Sequence, residues 1–260
     1  MNAPASPRSG LGLALGTIAA IVATLAVNTL SNLYPPGGKN VAEISNTILA
    51  GVLITPANYA FIIWGLIYLG LIAYGIYQVH PERRSDPQLQ RVNQRLILAC
   101  VAQVIWIFLF TWQQFAASVL AMLIILGSLI EAYRTLGIGQ GRVSRQRRWM
   151  AHIPFSLYLG WIAVATVVNI AATLYAANWG GLGLSPILWT VVMLVVVTLL
   201  GMLVLWQRQD ITVALVFVWA LGAIAQRHGD QPTLWIPALL GVGGLGLGVF
   251  WMLGQRRLGS

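Results

Sequence analysis

The chain is predicted to be all-α: a polytopic integral membrane bundle of about eight transmembrane helices. Three observations predict it. Hydrophobic residues make up 58% of the 260 positions and charged residues only 8%, too little polar surface for a soluble fold of this size. The charge-free runs divide at roughly 20 residues, the helical length that crosses a hydrocarbon core of about 30 Å. The cations, finally, gather in alternate loops.

The spans are approximately 10–33, 56–79, 95–113, 115–137, 152–176, 187–207, 210–226 and 233–254. The first could pass for a secretory signal, since Arg8 precedes an apolar segment from Leu11 to Val27. That segment exceeds the usual h-region of about 7–15 residues and no A-x-A-like site follows it, so it is read as a retained helix. Between Leu96 and Ile130 the uncharged stretch must turn once, and Thr111-Trp-Gln-Gln-Phe115 is the polar interruption that permits it. The turn-rich segment Asn178-Trp-Gly-Gly-Leu-Gly-Leu-Ser-Pro186 separates spans five and six. Span seven, at about 17 residues, is at the lower limit for crossing.

Counting cations tests this division. With a cytoplasmic N-terminus the inner set is Arg8, Arg83, Arg84, Arg91, Arg95, Arg134, Arg142, Arg145, Arg147, Arg148, Arg208, Arg256 and Arg257. Only Lys39 and Arg227 fall outside, a split of 13 to 2 that the positive-inside rule favours. An even number of spans places both termini in the cytoplasm. The net charge of +9 is explained by these short loops, and no nucleic-acid partner is expected because no groove-sized basic face exists. Cys100, the single cysteine, lies in an apolar run and is expected to be a packed thiol.

Most of the information lies in Pro154-Phe-Ser-Leu-Tyr158-Leu-Gly-Trp161-Ile-Ala-Val-Ala165-Thr166-Val-Val-Asn169, within a stretch free of charge from Trp149 to Gln207. Polar groups at that depth are costly and need a partner or a ligand. Of the eleven tryptophans, Trp112, Trp149, Trp179, Trp206, Trp235 and Trp251 lie near helix ends, where headgroups favour them. Trp64, Trp106 and Trp161 fall well inside spans. Helical spacing sets Phe61, Trp64 and Tyr68 on one face of span two and Gln103, Trp106 and Phe110 on one face of span three. Tyr158, Trp161, Ala165 and Asn169 form the stripe of span five. At about 1.5 Å per residue, Trp64 lies roughly 12 Å, Asn169 roughly 10 Å and Gln103 roughly 15 Å below the outer surface. The expectation is a chamber in the outer half of the bilayer, with aromatic walls and few polar anchors, suited to a flat apolar ligand. Packing of helix on helix would account for any one of these residues, but membrane packing faces favour Gly, Ala, Ser and Thr over three indoles. The loop from Tyr34 to Thr55 is expected to lie above the chamber as a lid.

Three motifs carry a family likeness: Pro56-x7-Trp64-x3-Tyr68, Gln103-x2-Trp106-x3-Phe110, and Tyr158-x2-Trp161-x3-Ala165-Thr166-x2-Asn169. They resemble the tryptophan-rich sensory protein family, which includes the mitochondrial translocator protein. The third motif is the most specific, and the likeness covers about residues 10–178. The resemblance implies a five-helix core over 1–178 that binds porphyrins, haem-like tetrapyrroles, sterols or other hydrophobic molecules, with Trp64, Trp161, Ala165 and Asn169 lining the cavity. Residues 179–260 then form three additional helices of the same membrane domain, as in longer bacterial members, which implies a multi-pass protein of the bacterial plasma membrane. The sequence departs from the short members in having one proline and no Trp in Ile54-Thr-Pro-Ala-Asn-Tyr59, Gln103 in place of the usual Asn, and Pro154 one turn early.

The partners expected are the lipid bilayer and a hydrophobic small molecule; no metal or required cofactor is expected, with a porphyrin or haem-like ligand the closest candidate. Gly241, Gly244 and Gly248 include a GxxxG spacing that suits close helix contact within the chain or, in a homodimer, between subunits, the former being favoured. An intramembrane enzyme would need acid, base or metal ligands at depth, and neither HExxH nor G-x-S-x-G occurs, so the protein is read as a sensor or carrier rather than an enzyme. Relatives in this family are connected with porphyrin breakdown, which remains the least favoured reading. A transporter of a lipophilic metabolite is the stronger rival, although the halves show no evident repeat and no charge sits at mid-depth. Glu131, the one acid near a span, is placed to pair with Arg134 at i+3.

Overall fold

The computed structural model describes residues 10–258. Arg8, counted above for orientation, lies outside them. The elements in chain order are α1 (Leu11–Leu33), α2 (Val41–Asn46), a 3-10 turn (Asn58–Ile62) leading into α3 (Ile63–Val79), α4 (Pro81–Arg84), α5 (Pro87–Thr111), α6 (Phe115–Leu136), α7 (Arg145–Arg147), a π-helical turn (Arg148–His152), α8 (Ile153–Ala176), a 3-10 turn (Gly181–Gly183), α9 (Pro186–Arg208), α10 (Ile211–Arg227) and α11 (Pro232–Leu258). No strand occurs among the described residues. Seven helical stretches are long and apolar enough to cross a membrane, and Ile211–Arg227 is a shorter apolar helix. The chain is therefore a multi-pass helical membrane protein.

Helix ends follow local chemistry. Pro87, Pro186 and the acceptors before them start α5 and α9: Asp86 accepts from the Gln88 amide at 2.8 Å, and Ser185 accepts from the Leu188 amide at 3.2 Å. Asp210 caps α10, accepting from Thr212 at 2.9 Å and Val213 at 3.3 Å. Gly137, with φ of 65°, ends α6 in the left-handed region. Two helices start earlier than the expected spans: α5 begins at Pro87 rather than 95, and the fifth span begins at Arg145 rather than 152. Hydropathy reports where a helix enters lipid, whereas caps report where it begins, and the intervening turns carry the arginines.

By compactness the chain forms two units, one from Met1–Asn40 and Trp64–Leu159, the other from Val41–Ile63 and Gly160–Ser260. In the first unit α5 packs along α1 and α6. Its α1 buries Ala14, Thr17, Ile21, Thr24 and Ser31, a small and hydroxyl-rich stripe at helical spacing, while Leu15, Val22 and Leu30 are exposed as lipid-facing residues are. Thr24 Oγ1 donates to the Ala20 carbonyl at 2.8 Å and lies 3.3 Å from the Cys100 carbonyl on α5. Gly70 lets α3 approach the start of α8, because a Cβ there would meet Pro154. Glu131 of α6 pairs with Arg95 of α5 at 2.7 Å, which corrects the i+3 pairing with Arg134: the neighbouring helix brings its guanidinium to the carboxylate.

In the second unit α9, α10 and α11 pack on one another. A Cβ at Gly241 would meet Thr198, one at Gly244 Met202 and one at Gly248 Leu205, so the glycine stripe of α11 receives α9. The intrachain contact accounts for the spacing. The segment from Val41 to Ile63 is ordered on α10. Ile44, Leu49, Val52 and Ile54 are buried, the Ala57 amide donates to the Ala223 carbonyl at 3.1 Å, and Trp219 Nε1 donates to the Ala60 carbonyl at 3.0 Å. Arg227 Nη1 donates to Asn46 Oδ1 at 3.2 Å and to the Pro56 carbonyl at 3.3 Å, and His228 Nε2 donates to the Leu53 carbonyl at 2.7 Å.

Candidate functional site

In the first unit the end of α3 that follows the 3-10 turn supplies an indole and a phenol one turn apart. Trp64 stacks on Tyr68 with ring centroids 5.4 Å apart at 29°. The ring of Tyr158, from the second turn of α8, meets Trp64 edge-on at 6.0 Å. Tyr158 and Gln103 are both fully buried, at 0% exposure. The Tyr68 hydroxyl, the Tyr158 hydroxyl and both Nε2 and Oε1 of Gln103 are buried without a hydrogen-bond partner. Each such atom forgoes about 1–3 kcal/mol, and all four belong to the first unit.

Cys100 is 1% exposed and precedes Gln103 by three residues, hence on the same face of α5. Further along that helix Trp106 and Phe110 stack at 4.9 Å, and Phe110 meets Phe115 at 5.3 Å. The first unit thus brings Trp64, Tyr68 and Tyr158 into direct contact and adds Trp106 and Phe110 as a second aromatic pair.

Phe61, Trp161, Ala165, Thr166 and Asn169 belong to the second unit. Phe61 meets Trp161 edge-on at 6.0 Å, and Trp161 is buried. Thr166 Oγ1 donates to the Ile162 carbonyl at 2.7 Å, which occupies its hydroxyl within α8. Asn169 is buried at 2% exposure, and Thr173 Oγ1 donates to its carbonyl at 2.9 Å.

The first unit also holds a buried polar chain that the stripes did not include. Tyr74 Oη donates to Asn93 Oδ1 at 2.6 Å, Asn93 Nδ2 to Gln78 Oε1 at 2.9 Å, and Gln78 Nε2 to the Ala14 carbonyl at 3.0 Å. The three side chains are 0–1% exposed and tie α3, α5 and α1 together. Asn93 fell before the expected span beginning at 95, and the Asp86-Pro87 start signal would have placed it on the helix. Here every polar group has a partner; around Tyr158 it does not. The contrast marks the surroundings of Tyr158 as the candidate site.

The fold defines a polytopic helical membrane protein, and the side chains around Tyr158 form its candidate site. A family model described as TSPO-like protein matches residues 14–251, and the chain belongs to that family. The match continues through α9, α10 and most of α11, well beyond the motifs of α3, α5 and α8. No curated protein and no solved structure matches the chain.

Proposed function

We propose that the protein binds hydrophobic small molecules of tetrapyrrole, sterol or isoprenoid type in the outer half of the bilayer, acting as a sensor or carrier and carrying out no chemistry on them. The observation that carries this reading is the Trp64 indole against Tyr68 and Tyr158, whose hydroxyls are buried and unpartnered, as is the Gln103 amide of the same unit. Aromatic surface with a few convergent polar groups is what a site for a flat apolar ligand requires. No Lys, Arg, Asp or Glu occurs within 64–79, 96–111 or 149–159, which favours a carrier or sensor over ion-coupled transport. The host membrane proposed is the bacterial plasma membrane, on the strength of the likeness to longer bacterial members, with both termini in the cytoplasm, on the strength of the cation distribution.

Quenching of intrinsic tryptophan fluorescence by protoporphyrin IX tests the reading on purified protein. Trp64→Ala and Gln103→Ala are expected to weaken the quenching several-fold, and Trp161→Ala and Asn169→Ala test the expected residues of the second unit in the same titration. Titrations superimposable on the parent protein in all four variants would count against a binding role.

A further inference from the structure

We infer that the half-buried Arg83 and Arg147, held by uncharged partners at the arginine-rich border of the first unit, bind the phosphodiester headgroup of an anionic phospholipid such as phosphatidylglycerol. The surface lies roughly 16 Å along the helix axis from Tyr158 and does not depend on the binding role proposed above.

Charge and hydrogen bonding lead to this surface. Residues 80–91 and 134–148 hold eight arginines against two acids, Glu82 and Asp86, and the Asp86 carboxylate accepts from the Gln88 amide as the cap of α5. The positive-inside rule accounts for cations in these loops but not for cations held in place, since fixing a long side chain costs rotamer freedom. Two of the eight are held. Arg83 Nη1 donates to the Tyr77 carbonyl at 3.2 Å, its Nη2 donates to Gln146 Oε1 at 2.7 Å, and its guanidinium lies 4.0 Å from the centroid of the Tyr77 ring. Arg147 Nη2 donates to Gln88 Oε1 at 2.7 Å and to the Leu136 carbonyl at 3.5 Å, and its Nε donates to His152 Nε2 at 3.4 Å. Gln146 and Arg147 are neighbours on α7, so that short helix joins the two guanidinium groups to α4 and α5.

Every one of these acceptors is uncharged, whereas Arg95 is neutralised by Glu131 at 2.7 Å. Arg83 and Arg147 therefore keep their full charge in fixed orientations. A guanidinium has five N–H groups, and these bonds leave Nη1 of Arg147 and, on Arg83, Nε and one N–H of each Nη for an acceptor from outside. Planar, paired donors of this kind suit phosphate oxygens. The position favours a lipid as the source of the phosphate. The exposed Leu69, Ile72 and Ile76 of α3 form an apolar face that runs toward the turn bearing Arg83, and the exposed Trp149 follows Arg147 by two residues, as suits the headgroup level. A zwitterionic lipid would bring its own cation into this surplus of positive charge, so the anionic headgroup is preferred.

Spin-labelled phosphatidylglycerol and phosphatidylcholine, added to the full chain in phosphatidylcholine vesicles, test the assignment by the fraction of each label that the protein immobilises. At about 0.15 M NaCl, where exposed charges more than roughly 8 Å apart are screened, phosphatidylglycerol is expected to associate about fivefold more strongly. Arg83→Gln and Arg147→Gln should each remove most of that preference, while Arg142→Gln, an exposed arginine before α7, should leave it within about twofold. Thermal unfolding in phosphatidylcholine shows which variants are folded, and should Arg147→Gln fail to fold, Arg83→Gln decides alone. Equal association of the two lipids, a preference that survives the substitution of Arg83, or an equal loss on substituting Arg142 would overturn the inference. Displacement of the labelled phosphatidylglycerol by soluble glycerol phosphate would overturn the lipid as the source of the phosphate.

Discussion

At the scale of single residues, neighbouring polar side chains in one unit have different fates. Asn93 is held between Tyr74 and Gln78, with donors and acceptors matched. Asn93→Ala would strand the Tyr74 hydroxyl and the Gln78 carbonyl in an apolar setting, and a loss of about 2–4 kcal/mol is expected. Urea unfolding in mixed micelles measures it, and a variant within 0.5 kcal/mol of the parent, roughly the size of a neutral surface substitution, would show that the chain of bonds contributes little. Gln103 was legible in the sequence because spacing set it beside Trp106 and Phe110. Its want of a partner was not, since satisfaction depends on what α1, α3 and α8 present to it. Cys100, a thiol in an apolar run, reads as packing, and it is buried at 1% exposure.

At the scale of elements, the lengths of the uncharged apolar runs located all eight apolar helices, and the largest errors lay at the charged ends of α5 and of the fifth span. Those errors share one cause, since arginine-bearing turns are helical but not hydrophobic. Periodicity could not assign the segment between α1 and α3. Its seat on α10 depends on Trp219, Arg227 and His228, which are far away in sequence and carry no motif. The glycines of α11 permit a sharper test. A Cβ at Gly244 would meet the Met202 side chain, whereas one at Gly246 would meet nothing within 4 Å. Gly244→Leu is expected to cost about 1–3 kcal/mol by overpacking, with Gly246→Leu close to neutral. Thermal unfolding of the two variants side by side decides it, and equal melting temperatures would remove the packing role from the stripe.

At the scale of the whole molecule, the 13 to 2 cation split makes a statement about direction. With Cys100 replaced by Ala, a membrane-impermeant maleimide applied to intact cells should label Lys39→Cys, and should label Arg142→Cys only after permeabilisation. The reverse pattern would invert the topology and place the Tyr158 site in the other leaflet. The same scale governs α8, which the π-helical turn at Arg148–His152 precedes. Each helical residue advances by about 100°, and a π turn admits one residue more than an α turn does. Deleting Met150 would therefore let an ordinary α turn close with both sides still in phase, and Tyr158 would stay at the edge of Trp64, whereas one Ala inserted after Ile153 would swing everything downstream by about a quarter of a revolution. The deletion should be quenched by protoporphyrin IX as the parent is and the insertion should not, both staying helical by circular dichroism, so the wide turn is slack in which a one-residue change of length can vanish without turning the aromatic stripe aside.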